Sequence, residues 1–111
     1  MRIDIVTLFP ELCDGFLSTS ILGRARAKNL FEAHCHQIRD YTLNKQKQVD
    51  DYPYGGGHGA VMQADPLYQC WKHIVDTFGP GHTIYMSPAG KTFVEADARR
   101  LRDDYDHLIL V

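Results

Sequence analysis

Charge of one sign, long apolar runs and a disulfide framework are all missing from this sequence. Formal net charge is only -2, which excludes nucleic-acid binding through overall charge but leaves room for a local basic patch. No apolar run approaches the ~18 residues of a membrane-spanning helix. The opening "MRIDIVTLFPE" has one basic residue, an early acid and a short apolar stretch, a poor secretory signal. Cysteine is scarce: Cys13, Cys35 and Cys70 are odd in number and far apart. That usage reads as reduced thiols in a cytoplasmic protein. Internal repeats are lacking as well.

What is present suits one domain or part of one, with 44% hydrophobic residues to build its core. Residues Ile3 to Phe9, "IDIVTLF", are apolar or β-branched apart from Asp4, the pattern of a strand buried on both faces of a parallel sheet. Pro10 opens a short helix, "PELCDGFL". Ser18 or Ser20 is the expected cap of a second, "ILGRARAKN", which Gly23 weakens. A strand from Phe31 to Ile38 would place Ala33, Cys35 and Gln37 on one face and Glu32, His34, His36 and Ile38 on the other. Asn44 to Gln63 reads as one long loop. Asp65-Pro66 starts a helix whose stripe is Leu67, Cys70, Trp71, Ile74, Val75 and Phe78, and Gly79-Pro80-Gly81 stops it. "HTIYM" is a short strand and "SPAGK" a turn. Thr92 and Glu95 form a capping box, with Val94, Ala98, Leu101 and Tyr105 facing inward. "HLILV" is a last apolar strand ending at Val111. Strands alternating with helices predict α/β architecture with a mainly parallel sheet. An apolar strand at the very end predicts that the chain is a fragment.

Several groups have chemical potential. Gly55, Gly56, Gly57 and Gly59 lie within "DDYPYGGGHGAVM". The cluster lacks the Gly-Lys-Ser/Thr ending of a phosphate-binding loop and follows no strand that would suit a dinucleotide fingerprint. It is either a surface turn or a place where main chain meets a flat ring or sugar, with Tyr54 alongside. Asp50 and Asp51 can accept from a ring N–H or deprotonate it. "YMSPAGK" follows a strand, the usual place for a small-molecule ligand, with a Ser87 hydroxyl, a stiffening Pro88 and a permissive Gly90. An ordinary turn with Gly90 at positive φ is the alternative. His34 and His36 share a strand face, yet no further ligand has metal-site spacing, so no metal is assigned. Arg24, Arg26, Lys28, Arg39, Lys45 and Lys47 face only two acids, Glu32 and Asp40, in that stretch. They suit phosphate contact or a solvated face equally.

"LFPE", "ILGRA", "IRDYT", "VDDYPYGGGHG" and "YMSPAGKTF" occur in this order, and together they resemble the bacterial tRNA (guanine-N1)-methyltransferases over essentially the whole chain. These modify the guanine on the 3' side of the anticodon. The resemblance implies a SPOUT-type α/β fold with a deep trefoil knot, incomplete in this chain, and a homodimer in the intact enzyme. Residues 1 to 111 would be the N-terminal part of the cofactor-binding methyltransferase domain, with the C-terminal domain absent. It implies S-adenosyl-L-methionine as cofactor, with Tyr85, Met86, Ser87, Pro88 and Gly90 in its wall. Asp50, Tyr54, Gly55, Gly56, Gly57 and Gly59 would line the approach of the target guanine. The partner implied is tRNA, with neither DNA nor membrane. The family's catalytic base is an aspartate of the C-terminal part without counterpart here, so no catalytic residue is assigned. His58 stands where proline is usual, and Ala89 where an amide or acid is common. A Cys-Gly-Arg/His-Tyr-Glu-Gly run that follows "HLILV" in the family is missing, and the 111 residues by themselves are expected to be inactive. A non-catalytic RNA-binding or dimerisation module is the alternative.

Overall fold

The computed structural model describes residues 1–42, 50–51 and 61–111. Its elements run β1 (Arg2–Thr7), α1 (Pro10–Leu17), α2 (Ser20–Ala27), β2 (Glu32–Gln37), a 3-10 turn (Ile38–Tyr41), β3 (Asp50–Asp51), β4 (Val61–Met62), α3 (Ala64–Phe78), β5 (His82–Ile84), α4 (Glu95–Asp104) and β6 (His107–Leu110). Strands β2-β1-β6-β5 form a four-stranded sheet in that order, with every neighbouring pair parallel. The last strand in sequence is therefore an inner strand. That position explains its apolar composition, because a parallel strand between two others is covered on both faces.

Register assigns the faces. Asp4 lies level with His34 and Ile109, and Val6 with His36. One face thus carries Asp4, Val6, His36 and Ile109, and α3 packs there: Cys70 and Ile74 join Val6, Ile38 and Ile109 in one buried cluster. Leu67, Trp71 and Val75 pack at its edge, so the stripe read from spacing faces the core except at its end, where Phe78 stays exposed. The opposite face carries Ala33 and Leu108, both buried, and there the α2 side chain Arg26 donates to the Ala33 carbonyl at 3.0 Å.

Burial within α3 pushes the Cys70 thiol up to about 12, aided by the negative charges of Asp40 and Asp4. Cys70 is a core residue and not a nucleophile.

The starts of α2, α3 and α4 depart from the sequence expectation by one or two residues, whereas α1 begins at Pro10 as expected. Neither Ser18 nor Ser20 caps α2: the cap position is Thr19, whose hydroxyl donates back to the Gly15 carbonyl at 2.7 Å. Gly23 proves necessary there, since a Cβ would sit 2.5 Å from the Ser18 carbonyl oxygen. Helix α3 begins at Ala64 after Gln63, so Asp65 lies inside the first turn and does not cap. Its end follows expectation: Gly79 takes φ 90°, a left-handed value that favours glycine, and its N–H donates to Val75. The capping box at Thr92 and Glu95 is absent. Val94 is the cap, and Asp97 accepts from its N–H at 3.1 Å. The shift turns Asp97 inward beside Leu101 and leaves Val94 and Ala98 exposed. Tyr105 is half-buried, stacked on His82 at 4.0 Å.

The region read as one loop from Asn44 to Gln63 contains a short antiparallel ladder, Asp50 opposite Met62 and Asp51 opposite Val61. Tyr54, Gly55, Gly56, Gly57, His58 and Gly59 lie outside the described residues.

Candidate functional site at the carboxyl end of the sheet

Strand β5 positions the site. Beyond Ile84 its pairing with the last strand continues: Val111 N–H donates to the Ile84 carbonyl, and Met86 N–H donates to the Val111 carbonyl, each at 2.9 Å. Tyr85 and Met86 are thus held at the sheet's carboxyl edge. Ser87 then reverses the chain. Gly90 N–H donates to the Ser87 carbonyl at 3.2 Å, and Ala89 N–H donates to the Ser87 hydroxyl at 3.2 Å. These two bonds build the turn without a left-handed glycine, since Gly79 is the positive-φ glycine among the described residues. Gly90 is therefore not there for positive φ.

The turn, β5 and α4 enclose a cleft of ≈ 370 Å³, within the range of small-molecule sites. Tyr85, Met86, Ser87 and Gly90 all line it, together with Lys91, Phe93, Asp97 and Arg100. Pro88 is not among the lining residues. Tyr85, Met86 and Phe93 leave 71%, 64% and 60% of their surface open, so among the described residues this apolar wall is left largely uncovered. The cleft sits at the carboxyl end of the edge strand β5, beside the α4 crossover.

Charges sit at the rim. Asp97 is buried and accepts from Lys91 Nζ at 2.9 Å, with Arg100 at 3.8 Å. The hydrogen bond from Lys91, then that from the Val94 N–H, hold its carboxyl below the ordinary value despite burial. Lys91, Phe93, Asp97 and Arg100 escaped the sequence reading. The available signal was the acid at the third position of an amphipathic helix, which the misplaced capping box obscured.

Other sequence-predicted groups fall elsewhere. His36 Nε2 donates to Asp4 Oδ1 at 2.7 Å, and His107 Nε2 donates to Asp4 Oδ2 at 2.6 Å. An ionised carboxylate only accepts, so the histidines are the donors. Arg2 adds bonds at 2.9 and 3.0 Å and stacks 3.6 Å over the Phe78 ring. Burial pushes the Asp4 carboxyl up, but the bonds from Arg2, His36 and His107 and the charge of Arg2 bring it below its ordinary value. His34 lies 3.7 Å from Glu32 at the surface. Within the basic segment, Arg26 is committed internally to Asp14 at 2.9 Å and to the Ala33 carbonyl. Arg24 and Lys28 are exposed, and Lys45 and Lys47 lie outside the described residues. That segment is accordingly less available to phosphate than its composition suggests. Asp50 sits in the short ladder ahead of the glycine cluster.

The family profile described as tRNA (Guanine-1)-methyltransferase TrmD matches residues 1–111. The tRNA (guanine-N(1)-)-methyltransferase of Alkaliphilus metalliredigens is 43% identical over 113 residues, covering 99% of this chain and 46% of its own length. Its counterpart in Flavobacterium johnsoniae is 44% identical over 111 residues, covering 100% of this chain and 49% of its own length. The crystal structure of tRNA (m1G37) methyltransferase from Aquifex aeolicus matches with a TM-score of 0.86 at 24% identity, covering 99% of this chain and 50% of that one. This is a likeness of fold: the parallel four-stranded sheet flanked by helices is shared with part of that chain. The chain spans about half the length of the relatives it matches.

Proposed function

Because the chain belongs to the tRNA (guanine-1)-methyltransferase family, we propose that residues 1 to 111 are the N-terminal part of a cofactor-binding domain in a cytoplasmic, homodimeric enzyme. That enzyme methylates N1 of the guanine 3' to the tRNA anticodon. The observation that carries this is the gathering of Tyr85, Met86, Ser87 and Gly90 on one cleft beside an apolar wall.

The cleft's donor set fits S-adenosyl-L-methionine. Tyr85, Met86 and Phe93 offer apolar cover for an adenine ring, and the Ser87 turn offers a hydroxyl and main-chain groups. Arg100, open to solvent at the rim, offers a cation for the carboxylate of the amino-acid moiety. When bound, the cofactor supplies a methyl group activated on a sulfonium. The role of this chain's residues is to bind and orient, and alignment of nucleophile with methyl contributes a large share of such a rate. Asp50, Tyr54, Gly55, Gly56, Gly57 and Gly59 are assigned to the approach of the guanine on sequence pattern alone. Guanine N1 carries a proton in the neutral base, so a carboxylate must remove it. The family's aspartate for this step has no counterpart within these residues. The 111 residues by themselves are therefore proposed to be inactive.

Transfer of tritiated methyl from S-adenosyl-L-methionine to tRNA tests the reading. The intact protein should label N1 of the guanine beside the anticodon, and the 111 residues alone should not. An intact protein that binds tRNA but never transfers methyl would overturn the reading in favour of a binding module.

A further inference from the structure

Asp97 is the buried polar group of the cleft for which ligand contact is not the only available task. Its side chain is 8% exposed, whereas Lys91 and Arg100 beside it are open to solvent. The two carboxylate oxygens are divided between two segments. Oδ1 accepts from Lys91 Nζ at 2.9 Å, and Oδ2 accepts from the Val94 main-chain N–H at 3.1 Å. Between Gly90 and Glu95 the chain is neither helix nor strand. One side chain, rooted in the first turn of α4, thus ties down both ends of this irregular stretch.

We propose that Asp97 is the positioning residue of the cleft. By clamping Lys91 and Val94 to α4 it holds the Ser87–Gly90 turn at the cleft mouth in the geometry a ligand meets. The bond from Lys91 is charge-assisted, the stronger kind, and its ammonium stays open to solvent, so the clamp is modest in strength. Neutralising Asp97 frees Lys91, and the turn then samples other positions. Any ligand that needs the turn must re-order it, which lowers affinity. The link to affinity rests on the reading of the cleft as the S-adenosyl-L-methionine site; the clamp itself does not.

The test compares Asp97→Asn, Asp97→Glu and Lys91→Met in the intact protein. Residue-resolved amide exchange and calorimetric titration with S-adenosyl-L-homocysteine are the two readouts. Exchange at Ala89 and Gly90 should accelerate about three- to tenfold in Asp97→Asn and in Lys91→Met, with the double variant no faster than the faster single. Exchange at Ile5 in β1 should stay unchanged. Probe affinity should fall by a similar factor in Asp97→Asn and recover largely in Asp97→Glu, which keeps the charge. Unchanged exchange at Ala89 and Gly90, equal acceleration in β1, or faster turn exchange with undiminished affinity each overturns the proposal. Lys91→Met alters an exposed side chain and serves as the clamp test if Asp97→Asn fails to fold. Should the unaltered protein not bind the probe at all, the cofactor reading fails, while exchange at the turn still decides whether Asp97 clamps it.

Discussion

Asp4 and Asp97 are both buried carboxylates with depressed pKa values, yet they sit in opposite surroundings. Around Asp4, on the α3 face toward the amino end of the sheet, every donor points inward: Arg2, His36 and His107 come from three adjacent strands. Around Asp97, at the carboxyl end of β5, the partners are open to water and the neighbouring aromatic and Met86 surfaces are uncovered. The first arrangement satisfies its own polar groups and has nothing left to offer a ligand. The second is held in shape while its apolar wall and main-chain groups stay available. The difference teaches that burial and a shifted pKa do not by themselves mark a functional site; what the surrounding groups have left unused does.

The strongest way to break this comparison is Asp4→Ala. Removing the carboxylate takes the acceptor from the two histidine Nε2–H groups and leaves Arg2 with its bond to Glu32 at 3.3 Å, and stability should fall by about 3–5 kcal/mol. Urea unfolding measures it; a loss under about 1 kcal/mol would make the cluster an ordinary surface network. The same contrast has an acid signature. The folded Asp4 carboxyl is held below its ordinary value of 3.8, so its stabilisation is complete above that pH and is lost as pH falls through the lower folded value. Unfolding followed from neutral pH down to acid should show this decline in the natural protein, and a shallower one in Asp4→Asn. The smallest effect on stability is expected at the cleft. Phe93→Ala removes an exposed ring, so stability should move by less than about 0.5 kcal/mol. Affinity for S-adenosyl-L-homocysteine should drop about tenfold. A large loss of stability with intact affinity would reverse the roles assigned to the two ends.

Much of the fold was legible because it follows local periodicity. The α1 boundaries were read correctly from Pro10, and the α3 stripe from the spacing of Leu67 through Val75. The Ser87 turn was read from its residues, and four of the five residues assigned to the cofactor wall line one cleft. What escaped reading depends on partners distant in the chain. Asp4 was visible only as the one acid in an apolar strand, because its partner His107 lies 103 residues away. The start of α4 was misread because Thr92 and Glu95 satisfy the capping pattern as well as Val94 and Asp97 satisfy the geometry. Sequence pattern alone cannot choose between competing caps when packing supplies the deciding energy.

By itself, the sequence determined the alternation of strands and helices, the inward face of α3 and the family. Each is written in residue spacing or in motifs read along the chain. The tertiary structure decided that β6 lies between β1 and β5, that Asp4 is a closed internal hub, and that Asp97 rather than Val94 or Ala98 turns inward beside Leu101. Those outcomes depend on which strands become neighbours and which helix face meets the sheet, and only the free energy of the assembled core selects among them.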